Sequence, residues 1–107
     1  MGVNEDLVQR AQRGDQQARD ALILRNRRLV YHLANRLRHV GVDLDDLISA
    51  GTVGLLKAAD SHDAARGKFV THAWWKIRSE LSAVIAAQRR ANRTKLMSGE
   101  NLDRMPW

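Results

Sequence analysis

The stretch from Arg66 to Lys95 holds the residue types best suited to meeting an anion. It carries Arg66, Lys68, Lys76, Arg78, Arg89, Arg90, Arg93 and Lys95, and Glu80 is its only acid. Trp74 and Trp75 lie within it, followed by Ser79 and Ser82. Basic side chains hold phosphates, an exposed indole stacks on an unpaired base, and hydroxyl or imidazole groups reach base edges. Covalent chemistry has no comparable support: there is no paired nucleophile and base, no glycine loop to cradle phosphate and no cysteine. The four histidines, His32, His39, His62 and His72, lack metal-ligand spacing. No enzyme activity, metal or cofactor is therefore expected.

Helical geometry separates the two tryptophans. At about 100° per residue, Val70, Ala73, Trp74, Ile77, Leu81, Val84 and Gln88 fall within about 60° of one line, the expected buried stripe. The other side carries His72, Trp75, Ser79, Ser82 and Ala86, flanked by Thr71, Arg78 and Arg89. Trp75 projects about 160° away from Ile77, among polar and cationic neighbours. It either packs on another helix or the tail, or it meets a base; Lys68, Lys76, Arg78, Arg89 and Arg90 around it favour nucleic acid.

Four helices are expected to position these groups. Asn4 can cap a first helix that Gly14 ends. Asp15 opens a long helix to about His39, with Leu22, Leu29, Leu33 and Leu37 on one stripe and a break or kink possible at Asn26. Gly41 closes it. Asp43 caps a third helix, with Asp46 in the capping-box position; Leu44, Ile48, Leu55 and Ala59 face one way, and Gly51 admits a close neighbour. Residues 60–67, DSHDAARG, read as a loop. The fourth helix starts near Phe69 to Thr71 and runs to about Ala91. No stretch alternates as a strand does, so the fold class is all-α, a compact bundle of four helices, or five if the second breaks. Residues 94–107 read as a linker or tail, leaving residues 1–93 as the domain.

Composition agrees with this picture. The 107 residues are 44% hydrophobic, enough for one compact domain with a modest core, and lysine and arginine outnumber acids 18 to 12. Acids gather at Glu5, Asp6, Asp15, Asp20, Asp43, Asp45 and Asp46, away from the basic stretch. Nucleic acid is the expected partner of such a charge pattern. No apolar run reaches the ~20 residues of a membrane span and no signal peptide is evident. A soluble, cytoplasmic protein with no membrane contact is expected.

Three strings carry a family resemblance: LILRNRRLVYHLANRL, DLDDLISAGTVGLLKAADSHD and GKFVTHAWWKIRSEL. In order and spacing they resemble region two of the main bacterial sigma factor family. The upstream LVQRAQRGDQQARDALI resembles the helices leading into that region in alternative sigma factors. Together the match covers about residues 7 to 93. The resemblance implies a sigma region-two bundle that binds core RNA polymerase and recognises and melts the promoter minus-ten element. Docking on the coiled coil of the polymerase β′ clamp is implied for Asp46, Leu47, Ser49, Ala50, Thr52 and Leu56, with Arg27 from the preceding helix. Capture of a flipped adenine from the non-template strand is implied for Phe69, Thr71, His72, Trp75 and Lys76, and duplex reading for Ser79 and Ser82. Asn26, Arg66, Lys68, Arg78 and Arg89 complete the DNA-facing set.

Three departures from the family pattern stand out. Ser49 and Ala50 occupy positions where many sigma factors carry Gln-Glu. His72 stands where a tyrosine is usual, and Lys76 where a second tryptophan is often found. No region-four helix-turn-helix follows, which is expected of an excised domain or of a free-standing, degenerate relative. Two other functions stay open: a regulatory module that binds polymerase, an anti-sigma-like protein or its own copy without opening DNA, and a generic basic single-strand binder.

Overall fold

The computed structural model describes residues 2–97. Residues 98–107, most of the expected linker or tail, lie outside the described residues.

Four helices follow in order: α1 (Val3–Gln12), α2 (Gln16–Arg36), α3 (Leu44–Ser61) and α4 (Phe69–Met97). Short 3₁₀ turns at Arg38–Val40 and Ala64–Arg66 complete the α2–α3 and α3–α4 connections. All described regular structure is helical, and no described helix is long and apolar enough to cross a membrane.

The helix starts follow from side-chain acceptors. The Asp15 carboxylate accepts from the Ala18 amide at 3.1 Å, satisfying one of the free N–H groups of the first turn. That amide, and next the Arg10 guanidinium, hold the Asp15 carboxyl below the usual carboxylate range. Asp43 begins α3 in the same way by accepting from the Asp45 amide at 3.0 Å.

The first helix corrects the sequence reading. Its cap is Gly2, whereas Asn4 lies inside the first turn and exchanges two hydrogen bonds with Asn26 on α2, at 3.0 and 3.3 Å. Asn26 also donates to the Leu22 carbonyl one turn back, at 2.8 Å. Its amide is therefore satisfied inside the bundle instead of competing with the backbone. The helix passes through Asn26 without a break, so the bundle has four α-helices and not five. It ends at Arg36, three residues earlier than expected.

The core is built from Leu22 and Val30 of α2, Leu47 and Leu55 of α3, and Phe69, Ile77 and Leu81 of α4, all fully buried. Contact is most extensive between α3 and α4, and glycine sets its closeness. A Cβ on Gly54 would lie 2.7 Å from the Ile77 Cα and the Lys76 carbonyl oxygen, and one on Gly51 would lie 2.8 Å from Val30 Cγ1. The two helices touch backbone to backbone at Gly54.

The stripe of α4 holds at Ala73, Trp74, Ile77, Leu81 and Val84, but not at its ends. Val70 is exposed and Phe69 is buried in its place. There the first turn of α4 leans on His62 at the exit of α3, which turns the buried direction by one residue. At the other end Gln88 is exposed, as is every residue from Ala86 to Thr94. The helix continues beyond both the expected end at Ala91 and the expected domain boundary at 93, reaching Met97. Its last turns form a basic stalk carrying Arg89, Arg90 and Arg93.

Candidate nucleic-acid interface

A hollow of about 320 Å³ opens where α3 ends and α4 begins. Ser61, His62 and Asp63 form one wall; Arg66, Gly67 and Lys68 the next; Thr71, His72 and Trp75 of α4 the third. The turn between the helices is locally encoded. Asp63 accepts from the Ala65 amide at 3.0 Å to start the 3₁₀ turn. Gly67 then takes φ 124°, a conformation open to glycine and strained for other residues, which swings Lys68 and α4 across the end of α3.

At the rim, Trp75 is 60% exposed, the placement that periodicity gave it. Its ring stands edge-on to half-buried Trp74, with centroids 4.7 Å apart at 89°. The Arg78 guanidinium lies over the other indole, 5.1 Å from the Trp74 centroid. The tryptophans thus divide the work of the helix: Trp74 joins the core and engages Arg78, while Trp75 presents a free face.

The floor is made by two histidines. His62 is buried, packs edge-on against Phe69 at 5.5 Å and lies 5.4 Å from the His72 ring. Among the described residues, no hydrogen-bond partner reaches its Nε2. His72 Nε2 shares a 2.9 Å hydrogen bond with the Ser61 hydroxyl. Burial, then the neighbouring His62 and Lys76, push the His72 pKa below the ordinary histidine value. At neutral pH His72 therefore offers an uncharged aromatic face, with positive charge left to Arg66, Lys68 and Lys76.

Of the residues expected to face DNA, Arg66, Lys68, Thr71, His72 and Trp75 gather around this hollow. Lys76 is half-buried beside it, and Ser79 lies further along the exposed side of α4. Ser82 and Arg89 line a second groove with Leu37, Val40, Arg90 and Arg93. Two expectations need correction. Asn26 is 92% buried and spends its amide inside the protein, while Phe69 is fully buried beneath His62. Neither side chain is presented to DNA; Phe69 supports the floor from below.

The residues expected to meet polymerase divide similarly. Arg27, Asp46 and Ser49 are exposed, and Ala50, Thr52 and Leu56 are half-buried. Thr52 donates its hydroxyl proton to the Ile48 carbonyl at 2.8 Å. Leu47 corrects the expectation: it is fully buried in the core and supports α3 from within.

Ser61, His62 and Gly67 were missed because residues 60–67 read as a plain loop. A signal for His62 was present. Gly51, Leu55, Ala58 and His62 follow three-to-four spacing, so the buried stripe of α3 runs one turn past the expected end. Asp60 and Ser61 belong to that helix.

This arrangement, a cationic rim and a free indole above an aromatic floor, can grip a strand by its phosphates and stack one unpaired base. Comparison with known proteins gives its lineage. Residues 22–94 match the family model described as sigma-70 region 2, which is more than half of the chain. The chain belongs to the sigma-70 region 2 family. It is 39% identical over 101 residues to the RNA polymerase sigma factor SigA of Clostridium acetobutylicum, covering 94% of this chain and 27% of that protein. It is 45% identical over 71 residues to the RNA polymerase sigma-28 factor of Bacillus thuringiensis subsp. kurstaki, covering 65% of this chain and 30% of that one. The sigma-F factor of Bacillus subtilis is 40% identical over 82 residues, 76% of this chain and 32% of the relative. The chain thus spans about a third or less of the length of these curated relatives. Within this sigma region-two chain, the hollow and its whole rim fall inside the matched span, whereas α1 lies before it.

Proposed function

We propose that this chain acts in transcription initiation, docking on core RNA polymerase and capturing an unpaired base of the promoter minus-ten element. The base would come from the non-template strand and enter the hollow beneath Trp75. The observation that carries this reading is the free indole face set over an aromatic floor and ringed by Arg66, Lys68 and Lys76. Stacking on such a face contributes on the order of 1–3 kcal/mol per base, comparable with the few kcal/mol needed to unstack one. TA steps deform most readily, which suits an element of TATAAT type. Melting then needs no covalent step: the strand is held by the energy of the captured base and of its phosphates. Ser79 and Ser82, further up the exposed side of α4, would read the adjoining duplex.

Docking is assigned to the exposed side of α2 and α3, through Arg27, Asp46 and Ser49, against the coiled coil of the β′ clamp. Membership of a family whose relatives are RNA polymerase sigma factors supports this part of the reading. Replacing Trp75 with alanine tests the DNA half. Binding to a single-stranded minus-ten oligonucleotide should weaken by about 1–3 kcal/mol, with polymerase binding and thermal stability nearly unchanged. Loss of folding, or unchanged affinity, would overturn the assignment.

A second reading is a regulatory module that binds polymerase or an anti-sigma-like protein without opening DNA. One feature favours it: Ser49 and Ala50 offer little polar reach, and the neighbouring Thr52 hydroxyl already donates within its own helix. Polymerase capture without enhanced oligonucleotide binding is its expected outcome.

A further inference from the structure

The wall of the hollow is held from behind by a residue outside the matched family span. Gln12, the last residue of α1, donates its side-chain amide to two carbonyls at the end of α3: Ala59 at 3.0 Å and His62 at 2.9 Å. The last carbonyls of a helix have no partner within it, so one exposed side chain both satisfies the end of α3 and pins the residue that follows. That residue, His62, is the one whose ring lies beneath His72. Arg19 of α2 adds a second tie through its guanidinium to Asp60. Between them, the two side chains grip residues 59 to 62 just before the chain turns into Asp63 and the rest of the wall.

We propose that Gln12 is a positioning residue for base capture: it fixes the His62 backbone, and through it the floor on which the base lies. This rests on the reading of the hollow as a base pocket. Gln12 itself does not line the hollow, and its effect passes entirely through His62. Its side chain is exposed, so replacing it opens no cavity in the core.

The test uses single-stranded non-template minus-ten oligonucleotides, intact or with an abasic residue at one position at a time. Affinities are measured for the unchanged chain, Gln12→Ala and Gln12→Lys. In the unchanged chain one position should show a marked abasic penalty, which identifies the captured base. In Gln12→Ala that penalty should shrink by about three- to tenfold, the range expected for a lost hydrogen-bond anchor, while penalties elsewhere stay as they were. Gln12→Lys should keep the penalty, because an ammonium group also donates to the carbonyls at a helix C-terminus and is favoured there. A full penalty retained in Gln12→Ala would overturn the proposal. So would a uniform loss of affinity at every position, the signature of a merely structural role, or a loss in Gln12→Lys equal to that in alanine. If the unchanged chain shows no abasic penalty anywhere, the base-pocket reading itself fails, and that result is distinct from the other three.

Discussion

His72 shows how one side chain ties the candidate site to the stability of the fold. Burial is the main reason its pKa lies below 6.5, and His62 and Lys76 add to the effect. The folded chain therefore favours neutral His72, and the unfolded chain takes up the proton first as pH falls. Its contribution to stability is whole above about pH 6.5 and declines as pH drops through the lowered folded-state value. Melting temperature should fall on acidification from about pH 7 to pH 5, and His72→Gln should flatten part of that slope. An identical slope in the variant would remove His72 as its source. Asn26 gives a complementary test. Because it bonds to Asn4 and Leu22 inside the bundle, Asn26→Ala should lower stability by about 1–2 kcal/mol by chemical denaturation. The folded variant should keep its affinity for single-stranded DNA.

Among the elements, the α3–α4 pair carries the site, and its spacing is set at Gly54, while Gly51 faces Val30 of α2. The atoms that an added methyl would meet differ at the two positions. At Gly54 they are backbone atoms of α4, which move only if the whole helix moves; at Gly51 the nearest is one methyl of Val30. Gly54→Ala should cost about 1–3 kcal/mol and weaken oligonucleotide binding, since it pushes α4 away from the wall formed by α3. Gly51→Ala should cost less. Equal melting temperatures for the two variants would contradict backbone contact as the limit on helix spacing. At the exposed end of α4, Arg89, Arg90 and Arg93 line the second groove with Leu37 and Val40.

For the molecule as a whole, charge is divided. The basic residues behind the formal net charge of +6 gather on two segments, α4 with the turn before it and α2 with Arg19, Arg25, Arg27, Arg28 and Arg36, while Asp43, Asp45 and Asp46 mark the start of α3. DNA affinity should fall steeply with salt, and removing Arg89, expected to meet DNA, should reduce the log–log slope by about 0.7–0.9. A flat response from low to physiological salt would exclude the basic surface as the binding site. Charge reversal at exposed Asp46 should weaken capture of core polymerase and leave oligonucleotide binding almost unchanged. An unaltered pull-down would remove Asp46 from the docking surface.

Much of this could be read from residue order alone. Helix number, the caps at Asp15 and Asp43, the core stripe of α4 and the outward face of Trp75 all follow from local rules: short polar acceptors start helices, and a period of 3.6 separates inside from outside. The same rules misplaced Asn4, Asn26, Val70 and Phe69, whose surroundings are set by residues distant in the chain. An asparagine that looks like a helix breaker becomes a buried link once Asn4 lies opposite it. A phenylalanine at a helix start becomes core once His62 covers it. The tie of the hollow's floor to Gln12 had no local signature, because a hydrogen bond spanning 50 residues exists only after α1 and α3 have packed. Periodicity determined which way each side chain leaves its own helix; tertiary packing alone decided what it met there.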